Sequence, residues 1–131
     1  MFLHHLSVEQ RQAFVGLAQW LVEADGRIDP LESARLDAIR QQVGVGPPSS
    51  GEPMDWAACF STQRARTSAL LELLAICLVD GEYHPAERAA MGQLADAMGV
   101  SGENMRQLES WVLRQAASAA SAEALMAEGE P

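Results

Sequence analysis

The chain has 131 residues and a formal net charge of −9, and 48% of its residues are hydrophobic. This length and apolar content suffice for one domain with its own core, so we predict a single domain over residues 1–131. Nucleic acid is excluded as a partner because binding it requires clustered positive charge, whereas a metal ion or a basic protein surface suits this acidic chain.

The first predicted helix covers residues 8–24. Phe14, Leu17 and Leu21 recur at helical spacing and give the helix one apolar face. Ser7, followed three residues later by Gln10, forms a capping box at the start of the helix. An Asp-Gly pair at positions 25 and 26 marks its end.

The second predicted helix starts at Pro30, because proline suits the first position of a helix. Asp29 precedes it as the N-cap, and Glu32 is the capping-box partner. Gly44 stops this helix. The stretch GPPSSGEP, residues 46–53, then connects the two halves of the chain.

The second half follows the same plan. After a short helix, a longer one is capped by Ser61 or Thr62 and ends at a second Asp-Gly pair. Pro85 opens the next helix and Gly99 closes it. These signals predict a second helix–corner–helix unit that resembles the first.

The last predicted helix covers residues 102–127 and is capped by Ser101. Its Ala-rich end either extends the helix or frays. No stretch of the sequence alternates between polar and apolar residues as a strand does, so the predicted fold class is all-α. The tryptophans and the helically spaced methionines are assigned to the core; they are Trp20, Trp56, Trp111, Met91, Met98 and Met105.

An internal repeat accounts for the similarity of the two halves. Residues 17–45 align on residues 72–100 with seven identities. We therefore predict a compact helical bundle built from two related helix–corner–helix repeats, at about 7–45 and about 62–100. The identical pairs are Asp25/Asp80, Gly26/Gly81, Pro30/Pro85, Glu32/Glu87, Ala34/Ala89, Gly44/Gly99 and Val45/Val100.

The corner ADGRIDPLE at residues 24–32 and its counterpart VDGEYHPAE at residues 79–87 resemble the corners of TerB-like domains, the tellurite-resistance B type. The resemblance covers residues 6–113. It implies a compact all-α domain without a catalytic centre. It also implies a role in bacterial stress response, often beside membrane or multiprotein complexes.

The same resemblance implies that an acidic surface binds divalent metal. The acidic corner residues of the family match Asp25, Glu32, Asp80 and Glu87 in this sequence. His84 departs from the first corner, since Asp29 occupies the equivalent position there.

Helix capping explains some of these acidic residues. Asp29 suits an N-cap, and Glu32 and Glu87, at the third helical position, suit capping hydrogen bonds and face the positive end of the helix dipole. Asp25 and Asp80 differ, because each lies at the C-terminal end of a helix, where a carboxylate is unfavourable. Amide groups of the following turn or a bound cation would offset their charge.

Two hypotheses follow for the corners. In the first, they hold a divalent cation, with Ca²⁺, Mg²⁺ or Mn²⁺ ranked before Zn²⁺. In the second, they are purely architectural, and the acidic surface docks a protein partner without metal. The predicted ligands are Asp25, Asp29, Glu32, Asp80 and Glu87, with His84 as an additional nitrogen ligand.

No nucleophile motif, phosphate-binding loop or zinc-protease motif occurs in the sequence, so we predict that the protein is not an enzyme. His4 and His5 have no partners at helical spacing and are assigned to a frayed N-terminus. Cys59 and Cys77 are interpreted as reduced thiols of a cytoplasmic protein. We expect a protein partner, and residues 108–112 suggest a homodimer surface.

Overall fold

The structure, a computed structural model, describes residues 3–24, 26, 29–79 and 83–128. Within these residues the chain is helical and contains no strand, which confirms the predicted all-α class and helical bundle. Each helix in the described ranges is too short or too polar to cross a membrane. The helices are α1 (Val8–Val22), α2 (Pro30–Val43), α3 (Pro53–Ala57), α4 (Gln63–Cys77), α5 (Pro85–Ala97) and α6 (Gly102–Glu128).

Four predicted N-caps are confirmed by hydrogen bonds, but the capping box predicted for Asp29 and Glu32 is not formed. Ser7 and Gln10 form the capping box of α1. The Asp29 carboxylate accepts hydrogen bonds from the first turn of α2. The Thr62 hydroxyl, rather than that of Ser61, caps α4. The Ser101 hydroxyl accepts from the backbone N–H of Asn104 at the start of α6. Local side-chain chemistry therefore sets where these helices begin.

The helix ends agree less closely with the prediction. Gly44 and Gly99 lie after α2 and α5 with φ of 72°, the left-handed conformation that ends a helix. By contrast, α1 ends at Val22, two residues before the predicted end. There the Ala24 N–H donates to the Leu21 carbonyl, so the last turn tightens before the Asp-Gly pair.

α1 and α4 form the centre of the bundle. α1 packs against α2, α3, α4 and α5, and α4 packs against α1, α2, α5 and α6. Burying each large aliphatic or aromatic side chain contributes about 1.5–3 kcal/mol. The fully buried side chains on these two helices include Phe14, Leu17, Leu21, Leu70, Leu73, Leu74 and Ile76.

The predicted connection at residues 46–53 packs closely against α1. The indole N–H of Trp56 donates to the Ser50 carbonyl at 3.1 Å, which fixes the ring. A Cβ at Gly16 of α1 would lie 2.8 Å from the Pro48 ring and 2.8 Å from the Trp56 ring. Glycine is therefore required at this position for the segment to approach α1.

α6 lies at the edge of the bundle, where it packs against α4 and α5. Met105 and Val112 are buried, and so are Met91 and Met98 on or next to α5, as predicted for the methionines. The assignment of Trp111 to the core is wrong, because this side chain is 36% exposed. The Ala-rich end continues the helix to Glu128.

Candidate functional site

The candidate site lies where α2 and α5 begin. Both helices start with a proline, Pro30 in α2 and Pro85 in α5. Asp29 is the N-cap residue of α2, and its carboxylate accepts hydrogen bonds from the N–H groups of Leu31 and Glu32 at 2.9 and 3.3 Å. His84 is the N-cap residue of α5, but its side chain makes no capping hydrogen bond.

The two helix starts bring three potential metal ligands together. One ligand atom from each of Asp29, Glu32 and His84 lies within 4.8 Å of the others. Glu32 Oε1 lies 4.0 Å from His84 Nε2. The group joins two residues of the first predicted corner to one residue of the second. His84 is therefore distant from Asp29 and Glu32 in the sequence but adjacent to them in the fold.

Burial makes this group electrostatically unusual. The side chain of Glu32 is 2% exposed and that of His84 is 18% exposed. A carboxylate removed from water needs positive charge or hydrogen-bond donors close to it. The N-terminus of α2 supplies part of that compensation through its dipole, since Glu32 lies in the first turn. A cation bound between Glu32 and His84 would add positive charge at this position.

The spacing of the three side chains is compatible with a metal ion after a small contraction. Ligand bonds to zinc of about 2.0–2.2 Å place tetrahedral neighbours about 3.4 Å apart. The 4.0 Å between Glu32 Oε1 and His84 Nε2 is only slightly wider. The three ligand atoms lie within 4.8 Å of one another, so forming a three-residue site would require movements of up to about 0.7 Å by each atom of the widest pair.

Glu87 is the counterpart of Glu32 on α5, and it is 1% exposed. Within the described part of the chain, neither of its carboxylate oxygens has a hydrogen-bond partner. The capping hydrogen bond predicted for Glu87 is therefore not formed, although the side chain lies in the first turn of α5. Glu87 is also not part of the three-residue group, although it lies one turn from His84 on the same helix.

Tyr83 occupies the same region of the second corner. Its hydroxyl is buried without a hydrogen-bond partner among the described residues, and Arg88 lies over its ring at 4.4 Å from the centroid. Burial raises the pKa of Tyr83, with Cys77, Glu109 and Glu87 acting in the same direction. The Tyr83 hydroxyl is thus largely shielded from water, with acidic groups and Arg88 close to it.

Two of the predicted ligands, Asp25 and Asp80, lie outside the described residues. The structure thus brings together Asp29, Glu32 and His84, and it places Glu87 nearby on α5. His84 had been ranked behind the carboxylates in the sequence. The signal that could have identified it is its alignment with Asp29 in the predicted repeat, because these two residues are the N-cap residues of α2 and α5.

A serine–histidine contact appears elsewhere in the bundle. His5 Nε2 lies 3.2 Å from the hydroxyl of Ser68 on α4, so the assignment of His5 to a frayed terminus is wrong. Desolvation, with smaller effects of Arg64 and His4, lowers the pKa of His5. Its other ring nitrogen has no hydrogen-bond partner among the described residues, so no third group orients the imidazole as in a catalytic triad.

Comparison with family models, with curated proteins and with solved structures found no match for this chain. The resemblance to TerB-like domains therefore stays a prediction that depends on the two corners themselves.

Proposed function

We propose that the protein is a non-enzymatic binding module that holds a divalent cation between its two helix corners. The observation that supports the proposal is the grouping of Asp29, Glu32 and His84, whose ligand atoms lie within 4.8 Å of one another. Carboxylate oxygens and an imidazole nitrogen are standard ligands for divalent ions.

Capping alone does not account for this group. Asp29 is sufficiently explained as the N-cap of α2. The burial of Glu32 is not, because a capping glutamate in the first turn of a helix works equally well at the surface. Burying Glu32 next to a second carboxylate costs free energy unless a positive charge offsets it. A bound cation would supply positive charge next to this buried carboxylate.

We also propose that the two corners belong to two copies of one helix–corner–helix unit. The second helix of each proposed repeat, α2 in the first and α5 in the second, follows an N-cap residue and begins with a proline. Each has a glutamate at its third position that is almost completely buried, namely Glu32 and Glu87. A pseudo-twofold arrangement of the repeats would place the equivalent N-cap residues, Asp29 and His84, next to each other.

A cation at this position would act as a cross-link. It would tie the start of α2 to the start of α5, and it would remove the repulsion between the carboxylates of Asp29 and Glu32. Ion binding would therefore rigidify the corner surface, which a protein partner could then recognise. The resemblance to TerB-like domains suggests that such a partner belongs to a stress-response assembly, including one at a membrane.

Thermal unfolding with and without Ca²⁺, Mg²⁺, Mn²⁺ and Zn²⁺ tests the proposal. An ion at a hundred times its Kd adds about 2.7 kcal/mol to the free energy of unfolding. For a chain of 131 residues this raises Tm by about 10 °C. Glu32→Gln should abolish the shift.

Asp37→Asn is the matched control, because Asp37 lies on the same helix, carries the same charge and has a side chain that is 70% exposed. This variant should keep the full shift. The proposal is wrong if none of the four ions raises Tm, or if Asp37→Asn and Glu32→Gln reduce the shift equally.

A second candidate is an adaptor domain that binds a protein without metal. The observation that favours it is an apolar recess between α4 and α6, where Leu71, Ala75, Val79 and Trp111 line a surface next to the exposed part of α6. In this case the cation titration leaves Tm unchanged. Trp111→Ala should then weaken partner binding, or self-association if the partner is a second copy, without changing the fold.

A further inference from the structure

We propose that His84 makes the corner site selective for zinc-type ions over calcium and magnesium. This inference rests on the proposed function, because it assigns the class of ion to the same group of residues. It also reverses the order of ions expected from the sequence, which ranks the ions that prefer oxygen ligands before zinc. The reason for the reversal is the position of the imidazole in the fold.

His84 is directed at the carboxylates rather than at its own helix. An N-cap side chain ordinarily accepts a hydrogen bond from the first turn, as Asp29 does in α2. The His84 side chain makes no such bond in α5. Its Nε2 instead faces Glu32 Oε1 at 4.0 Å, and the side chain is 18% exposed. The one nitrogen donor of the site thus lies on the side where a cation would bind.

The number and type of ligands favour zinc over calcium. Calcium takes six to eight oxygen ligands, and magnesium keeps several waters in an octahedral shell. A group of two carboxylates and one imidazole supplies too few oxygens for calcium, and Glu32 is too deeply buried for water to supply many more. Zinc requires four ligands and accepts imidazole readily, so three side chains and one water complete its shell.

Glu87 is a second buried carboxyl group close in sequence to His84. It is 1% exposed, and neither of its oxygens has a hydrogen-bond partner in the described part of the chain. It follows His84 by three positions at the start of α5, one helical turn away. A carboxyl group buried in this way ionises only with positive charge nearby, and a cation at the neighbouring corner would supply such charge.

Isothermal titration calorimetry of the full chain with Zn²⁺, Mn²⁺ and Ca²⁺, each added alone at constant pH, tests the inference. Cys59→Ser is used as the parent, because Cys59 is an exposed thiol that could bind zinc elsewhere. We expect zinc to bind the parent at least about a hundredfold more tightly than calcium, with manganese between them.

The decisive variant is His84→Asp, which places in the second corner the residue found in the first. It should weaken zinc binding at least about tenfold and leave calcium binding equal or stronger, since an oxygen replaces the nitrogen. His84→Gln, measured in the same way, replaces His84→Asp if an additional buried charge prevents folding. His4→Ala is the matched control, because His4 is an exposed histidine. It should change neither affinity.

The outcomes separate this inference from the proposed function. One outcome is that calcium binds, that Glu32→Gln abolishes this binding, and that His84→Asp leaves the ratio of the zinc and calcium affinities unchanged. In that case the corner is a cation site, but the inference about His84 is wrong. If no ion binds the parent, both proposals are wrong. If His84→Asp and His84→Gln both lower the ratio while His4→Ala does not, the inference is supported.

Discussion

Gly16 provides a sharp test of how the connecting segment positions the two halves. In Gly16→Ala, the new methyl group would lie 2.8 Å from Pro48 Cδ and 2.8 Å from Trp56 Cε3. Both neighbours are ring atoms, and the hydrogen bond from the Trp56 indole to the Ser50 carbonyl holds one of the rings in place. Neither ring can rotate away from the methyl group, so the backbone of the segment must move.

The expected cost follows from two opposing effects. Overpacking a buried position typically costs about 1–3 kcal/mol. Replacing glycine by alanine inside a helix returns about 1 kcal/mol. We therefore expect a net loss of up to about 2 kcal/mol, which lowers Tm by up to about 7 °C for a chain of this length.

Gly92→Ala is the matched control for this experiment. Gly92 lies inside α5, and a Cβ added there meets nothing within 4 Å. Only the helix-propensity effect remains, so this variant should gain about 1 kcal/mol. Both variants are compared with the parent by urea unfolding and by calorimetry. Stabilisation of the protein by Gly16→Ala, similar to that by Gly92→Ala, would refute the packing of the connecting segment on α1.

Substitutions at three further positions test the electrostatics of the corners and of the N-terminus. Tyr83→Phe removes a buried hydroxyl that has no hydrogen-bond partner in the described chain, so it should cost less than about 1 kcal/mol at pH 7. Because the pKa of Tyr83 is raised in the folded protein, its contribution to stability is complete below about pH 10 and is lost above it. Urea unfolding above about pH 10 should therefore show a smaller loss of stability for Tyr83→Phe than for the parent. Asp29→Ala should lower the free energy of unfolding by about 1 kcal/mol without metal, because it removes the N-cap of α2. Asp29→Asn keeps the N-cap, so it should change stability little and weaken only cation binding. Thermal unfolding of both variants with and without zinc measures the two effects. The pKa of His5 is lowered, so its contribution to stability is complete above about pH 6.5 and is lost as the pH falls. Between pH 7 and pH 5, the free energy of unfolding in urea should therefore decrease less for His5→Gln than for the parent.

The sequence predicts the helices well because their boundaries depend on local chemistry. The N-caps at Ser7, Asp29 and Ser101 and the glycine at position 44 satisfy backbone groups that lie within a few residues of them. Such interactions can be read from spacing alone. The exposure of Trp111 could not be predicted in this way, because it depends on how α6 packs against α4 in the folded bundle.

The candidate site could be predicted only in part, for the same reason. The spacing of Asp29 and Glu32 within one corner is visible in the sequence. The proximity of His84 to Glu32 depends on how α2 and α5 converge, which no local pattern specifies. The contact between His5 and Ser68 likewise joins residues that are distant in the chain.

The capping interpretation was incomplete because it considered only backbone donors. A glutamate at the third position of a helix can return a hydrogen bond to its N-cap residue. In α5 the Glu87 side chain instead turns into the core, where it is 1% exposed. Burial of a side chain is a property of the whole bundle, so the sequence of one corner could not distinguish these two orientations.

The most direct test of the central claim is the number of zinc ions bound per chain. Equilibrium dialysis of the Cys59→Ser protein against zinc, followed by elemental analysis, should find one ion per chain in this parent and less than about a tenth of an ion in its Glu32→Gln derivative at the same free zinc concentration. Equal zinc content in the two proteins, or no bound zinc in the parent, would contradict the assignment of Asp29, Glu32 and His84 as a cation site.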